Sequence, residues 1–132
     1  MRHLLIVTAI IEAPVGAALL CCPSALARLL LGAGLDAPAA MTLGRVAGAA
    51  LLALGVACWL ARQGAPSRAA RGLTAAMTLY NLGVAVILAA AGVGAHLVGV
   101  VLWPAVALHA VMTAWCIACM GRKPTQAGER AA

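Results

Sequence analysis

Charge is what this chain has least of. Of its 132 residues nine are basic and three acidic, 9% in all, where soluble domains carry roughly 25%. Phenylalanine is absent and tyrosine occurs once. No His-Glu cluster, no glycine-rich phosphate loop and no second cysteine pair beside Cys116-Ile117-Ala118-Cys119 occurs, so the sequence offers no support for a metal or nucleotide site. In a reducing cytoplasmic setting the cysteines read as small apolar packing residues. What fills the chain is apolar: 65% of it, against about 45–50% in soluble domains. A soluble core of this size cannot hide that much apolar surface, and the expected fold is an all-α integral membrane four-helix bundle in one domain.

Crossing about 30 Å of hydrocarbon takes about 20 apolar residues, and four stretches meet that need. They run over about 4–22, 39–61, 73–93 and 97–120, within a single transmembrane domain, 1–120, that leaves 121–132 as a polar cytoplasmic tail. Arg2 and the apolar run behind it also resemble a cleaved leader. Glu12 and Pro14 interrupt that run, however, and Cys21-Cys22-Pro23 is a poor cleavage site, so the first stretch is read as a retained span. Between the first two spans, about 23–32 is too short to cross a bilayer. With Pro23 to open a helix and Gly32 and Gly34 to close it, this segment is predicted to lie on the interface. Asp36, before Ala37-Pro38, is predicted to cap the second span.

The basic residues predict the orientation. With four spans the termini share a side with the loop joining spans two and three. That side holds Arg2, Arg62, Arg68, Arg71, Arg122, Lys123 and Arg130, and the opposite side holds Arg28. The positive-inside rule then puts both termini in the cytoplasm of a bacterial-type inner (plasma) membrane. Topology and attraction to anionic lipid account for the formal charge of +6 without nucleic acid. Trp59 and Trp115 fall where an aromatic belt is expected.

Each span nevertheless carries one strongly polar residue: Glu12, Arg45, Asn81 and His109. On insertion scales a charge at the bilayer centre costs about 2.5–3.5 kcal/mol, so these four are the candidate ligand or proton site. At about 1.5 Å per residue Glu12 and Asn81 lie about 12 Å in from the cytoplasmic face and His109 lies near the middle of its span, while Arg45 reaches about 9 Å from the opposite face. Helical spacing adds a supporting stripe: Thr8 with Glu12, Thr42 with Arg45, Thr74 and Thr78 with Asn81, and Thr113 with His109. Pro14 and Pro104 place backbone breaks at the same level. Gly44, Gly48 and Gly55 form a small-residue face that allows close helix approach.

Two readings follow. In one, the layer is a midplane polar pocket that binds a proton or a small apolar or amphipathic ligand, with transport as one use of it. In the other, a Glu12–Arg45 ion pair with Asn81 and His109 fastens a noncatalytic accessory or structural subunit of a membrane complex. Arg45 can also snorkel outward. Neither reading names an enzyme. No cofactor is implied; a bound lipid or quinone is compatible with the apolar interior. The expected partners are the lipid bilayer and further copies of the chain or a larger membrane complex.

Thr8-Ala9-Ile10-Ile11-Glu12, a glutamate midway along the first of four short spans, resembles the small multidrug resistance exporters over that one helix. The resemblance implies a proton site at Glu12. The aromatic cage of that family is missing, and the arginine in span two and the segment 23–32 are foreign to it. The stretch Leu43-Gly44-Arg45-Val46-Ala47-Gly48-Ala49-Ala50-Leu51-Leu52-Ala53-Leu54-Gly55 is similar in style to DoxX-like and related uncharacterised four-span bacterial proteins. That resemblance implies the four-span architecture and an accessory role beside quinone-linked oxidoreductases, and carries no catalytic residue.

Overall fold

A computed structural model describes residues 1–63 and 67–121. Among the described residues the chain has no strands and five helices: α1 Arg2–Cys21, α2 Pro23–Leu31, α3 Pro38–Ala61, α4 Arg68–Gly94 and α5 Leu102–Gly121. Four of them, α1, α3, α4 and α5, are long and apolar enough to cross a membrane. Branched apolar side chains such as Leu43, Leu60, Leu79, Ile87 and Val111 stand exposed along them. A surface of that kind is stable only where lipid replaces water, so the four helices are read as a multi-pass membrane bundle.

The boundaries have local causes. Cys22 closes α1 and Pro23 opens α2, and Gly32 ends α2 in the left-handed region at φ 79°, a conformation glycine adopts without steric cost. The residue that caps α3 is Ala37, without a side-chain bond, and Asp36 lies one residue too early and stays exposed. Pro38 sets this register, because its fixed φ suits the first helical position and makes its predecessor the cap. Helix α4 starts earlier than hydropathy implied, since Ser67 accepts a hydrogen bond from the Ala70 amide at 3.1 Å and lets Arg68 and Arg71 join the helix.

Helix α5 starts later than the apolar run. Its connector turns back toward α2, where the Val101 amide donates to the Leu29 carbonyl at 3.2 Å and Gly99 packs on the Leu30 backbone. Pro104 therefore falls in the first turn of α5, where amides lack helical partners in any case. Of the two predicted breaks only Pro14 lies in a helix interior, beyond the first turn.

The helices associate as two antiparallel units, α1 with α3 and α4 with α5, and α2 packs across one end. Within the first unit the backbones meet at glycine. A Cβ on Gly16 would sit 2.7 Å from the Gly48 carbonyl oxygen, and one on Gly55 would sit 2.9 Å from the Ala13 amide. Between the units the backbones stay farther apart and side chains make the contact. Leu4, Leu5, Cys58, Met77, Met112 and Cys116 form a buried apolar plug toward the end that carries the N-terminus. Trp59 and Trp115 are part-exposed near that end, with the Arg62 guanidinium stacked 3.6 Å above the Trp59 ring.

Candidate functional site

The polar layer forms just beyond this plug, where the two units face each other. Glu12 comes from the middle of α1 and is buried, with 4% of its surface exposed. The Tyr80 hydroxyl, on α4, donates to Glu12 Oε2 at 3.1 Å. Asn81, the next residue, is 1% exposed and bonds in two directions. Its Nδ2 donates to the Met77 carbonyl at 2.8 Å, and its Oδ1 lies 2.8 Å from His109 Nδ1 on α5. The Tyr80 ring meets the His109 ring edge-on, with centroids 5.8 Å apart.

These bonds settle the histidine tautomer. Asn81 must turn Nδ2 toward Met77, because the flipped amide would set two carbonyl oxygens against each other. Oδ1 therefore faces His109 and can only accept, so the proton sits on Nδ1. In the neutral imidazole Nε2 then keeps a free lone pair, and it has no hydrogen-bond partner among the described residues.

The threonine stripe divides. Thr42, Thr74, Thr78 and Thr113 each donate to the carbonyl four residues earlier, at 2.8–2.9 Å, the ordinary way for a hydroxyl to be satisfied in a membrane helix. Thr8 does not. It is 1% exposed, and its Oγ1 has no partner. Thr8, Ile11 and Glu12 of α1 face Asn81 of α4 and Leu108, His109 and Met112 of α5 across a crevice. This crevice is narrow and partly open, with no room inside it for a water-sized sphere.

Glu12, Asn81 and His109 thus share one layer, and Arg45 stands apart. It is exposed on α3, about 10 Å from the start of that helix, and pairs with no acid among the described residues. The α3 face turned to α1 is the glycine face, so the arginine stem lies toward lipid and the geometry is that of snorkelling. No family model, curated protein or solved structure matches the chain.

Tyr80 is the member that the sequence pattern did not single out. The signal was present: it is the chain's one tyrosine, and it lies deep in a span where the aromatic belt has no use for it. Among the described residues no three His, Cys, Asp or Glu side chains converge as metal ligands. Cys58, Cys116 and Cys119 are buried as free thiols in and around the plug, while Cys21 and Cys22 are exposed at the α1–α2 junction. Arg122, Lys123 and Arg130, on which the orientation argument also drew, and the tail after residue 121 lie outside the described residues.

Proposed function

We propose that this multi-pass membrane protein binds a proton on Glu12, within a midplane site completed by Tyr80, Asn81 and His109. One observation carries the reading: a buried carboxyl group at mid-span has a tyrosine hydroxyl as its hydrogen-bond partner and, among the described residues, no salt-bridge partner. An isolated carboxylate in an apolar medium is so costly that such a group takes a proton unless a positive charge comes to it. The Asn81–His109 bond holds the imidazole beside it in one tautomer. The protein sits in a bacterial-type inner membrane with its termini inside, and an apolar or amphipathic ligand supplies or removes the charge that Glu12 answers to.

The fastening reading has its own observation, since both ends of the Asn81 amide are bonded and the crevice has no room for a water-sized sphere. Infrared difference spectroscopy in bilayers separates the two. The chain has three acidic side chains, so a protonated-carboxyl stretch that Glu12→Gln removes is assignable. The expected result is a band that disappears reversibly as the pH is raised while helicity is unchanged. Absence of such a band across the range in which the bundle stays folded refutes proton binding. A Glu12→Gln variant altered only in stability then leaves the fastening role.

A further inference from the structure

We propose that the crevice between α1 and the α4–α5 unit binds the nitrogen head of an apolar primary amine. The inference rests on the proton-binding reading of Glu12. Its independent support is Thr8, the one described threonine that leaves its own helix unbonded, buried and lining the crevice.

The groups around the crevice form a set of acceptors. Glu12 offers carboxyl oxygens, His109 a lone pair on Nε2, and Thr8 its Oγ1. The titratable groups on neighbouring helices are Tyr80 on α4, Cys58 on α3 and Cys116 on α5, and none of them is a cation. A ligand suited to this set carries several N–H donors and becomes positive on arrival. An ammonium group has three donors for the three acceptors. No aromatic cage surrounds the crevice, so a quaternary ammonium, which has no N–H, finds nothing to bond.

Entry is from the lipid side. Leu108 on the rim is 39% exposed and Ile11 is half-buried, so an apolar tail can remain among lipid chains. The amine travels neutral and avoids the cost of a charge in hydrocarbon. At the site its nitrogen lone pair takes the proton from the Glu12 carboxyl. The O–H bond breaks, an N–H bond forms, and ammonium and carboxylate remain as a pair with no change in total charge. Tyr80 keeps its hydrogen bond to the carboxylate. The crevice is too narrow for a water-sized sphere, and room for the amine head comes from Met112, an unbranched side chain with three rotatable bonds, at a junction where side chains make the contact.

The test titrates ¹⁵N-labelled n-octylamine into bilayers with and without the full chain, following binding by nitrogen NMR. Saturable binding above empty bilayers is expected, weakened at least about tenfold by Thr8→Val. That variant keeps the shape of the side chain and removes a hydroxyl with no partner, so folding is retained. Octyltrimethylammonium is expected not to compete. No saturable binding, undiminished binding by Thr8→Val, or competition by the trimethylated probe overturns the proposal. The infrared band keeps the two readings apart. Saturable, Thr8-dependent binding that leaves the Glu12 band unchanged overturns the proton transfer, whereas a titrating band without saturable binding overturns the amine site and keeps the proton.

Discussion

The sharpest test of the packing is a single methyl group added at Gly48. A Cβ there would lie 2.8 Å from the Gly16 carbonyl oxygen, from Leu19 Cβ and from the Leu20 amide. Favourable contact begins at about 3.5 Å, so α1 and α3 would have to part by about 0.7 Å, and backbone cannot rotate aside as a side chain can. Overpacking of this kind costs about 3 kcal/mol, the upper end of the usual range. Alanine recovers about 1 kcal/mol in helix propensity, so Gly48→Ala is expected to destabilise the bundle by about 2 kcal/mol. Gly83→Ala is the matched control, because a Cβ at that position, inside α4, meets nothing within 4 Å. The same propensity gain should make that variant about 1 kcal/mol more stable. The two differ by about 3 kcal/mol, roughly a hundredfold in unfolding constant, measurable by loss of far-ultraviolet helicity in mixed micelles. Equal stabilities for the two variants would refute the close α1–α3 approach.

Two further outcomes follow from the same geometry. A double-mutant cycle of Glu12→Gln with Tyr80→Phe, read by the same unfolding assay, should give a coupling of about 0.6 kcal/mol, the average for interhelical hydrogen bonds in membranes, and at most about 1.7 kcal/mol, and strict additivity would mean that the bond contributes nothing. A membrane-impermeant maleimide added outside intact cells should label Cys21 or Cys22, exposed at the α1–α2 junction, and leave buried Cys58, Cys116 and Cys119 unreacted. Labelling that persists in the double Cys21→Ser, Cys22→Ser variant, or that needs permeabilised cells, contradicts termini on the inside.

The four spans were legible because bilayer thickness fixes their length and composition together, and the glycine face because only small residues let backbones touch. Glu12, Asn81 and His109 were legible for a related reason: a strongly polar group in a span needs company, and these three find it in one layer. Arg45 carries the same signal and behaves differently, since its long stem lets a charge near a helix end reach water without a partner. Spacing cannot separate those cases. Nor could it reveal the start of α5, because Leu97–Val101 is as apolar as the helix that follows. What removes it from the helix is a bond to Leu29, contributed by a segment distant in sequence. Tyr80 was hidden because tyrosine is ordinary at membrane interfaces and sits one residue off the Thr74–Thr78–Asn81 stripe.

How the two units are joined bears on what the proton proposed for Glu12 would do. Inside the first unit, cohesion comes from backbone against backbone, an arrangement that side-chain chemistry scarcely touches. The Asn81–His109 bond likewise lies within the α4–α5 unit and braces it. Across the junction, the described side chains contribute one hydrogen bond, Tyr80 to Glu12, beside the apolar plug, while the Val101–Leu29 backbone bond ties α2 to the α4–α5 connector. Membrane helices have no hydrophobic drive toward one another, so a junction held by few polar contacts is sensitive to each of them. Adding or removing charge at Glu12 changes the strength of its bond to Tyr80, since bonds to ionised acceptors are roughly twice as strong as neutral ones. The site therefore lies where its chemistry can alter how the two units meet, while the packing that defines each unit stays the same.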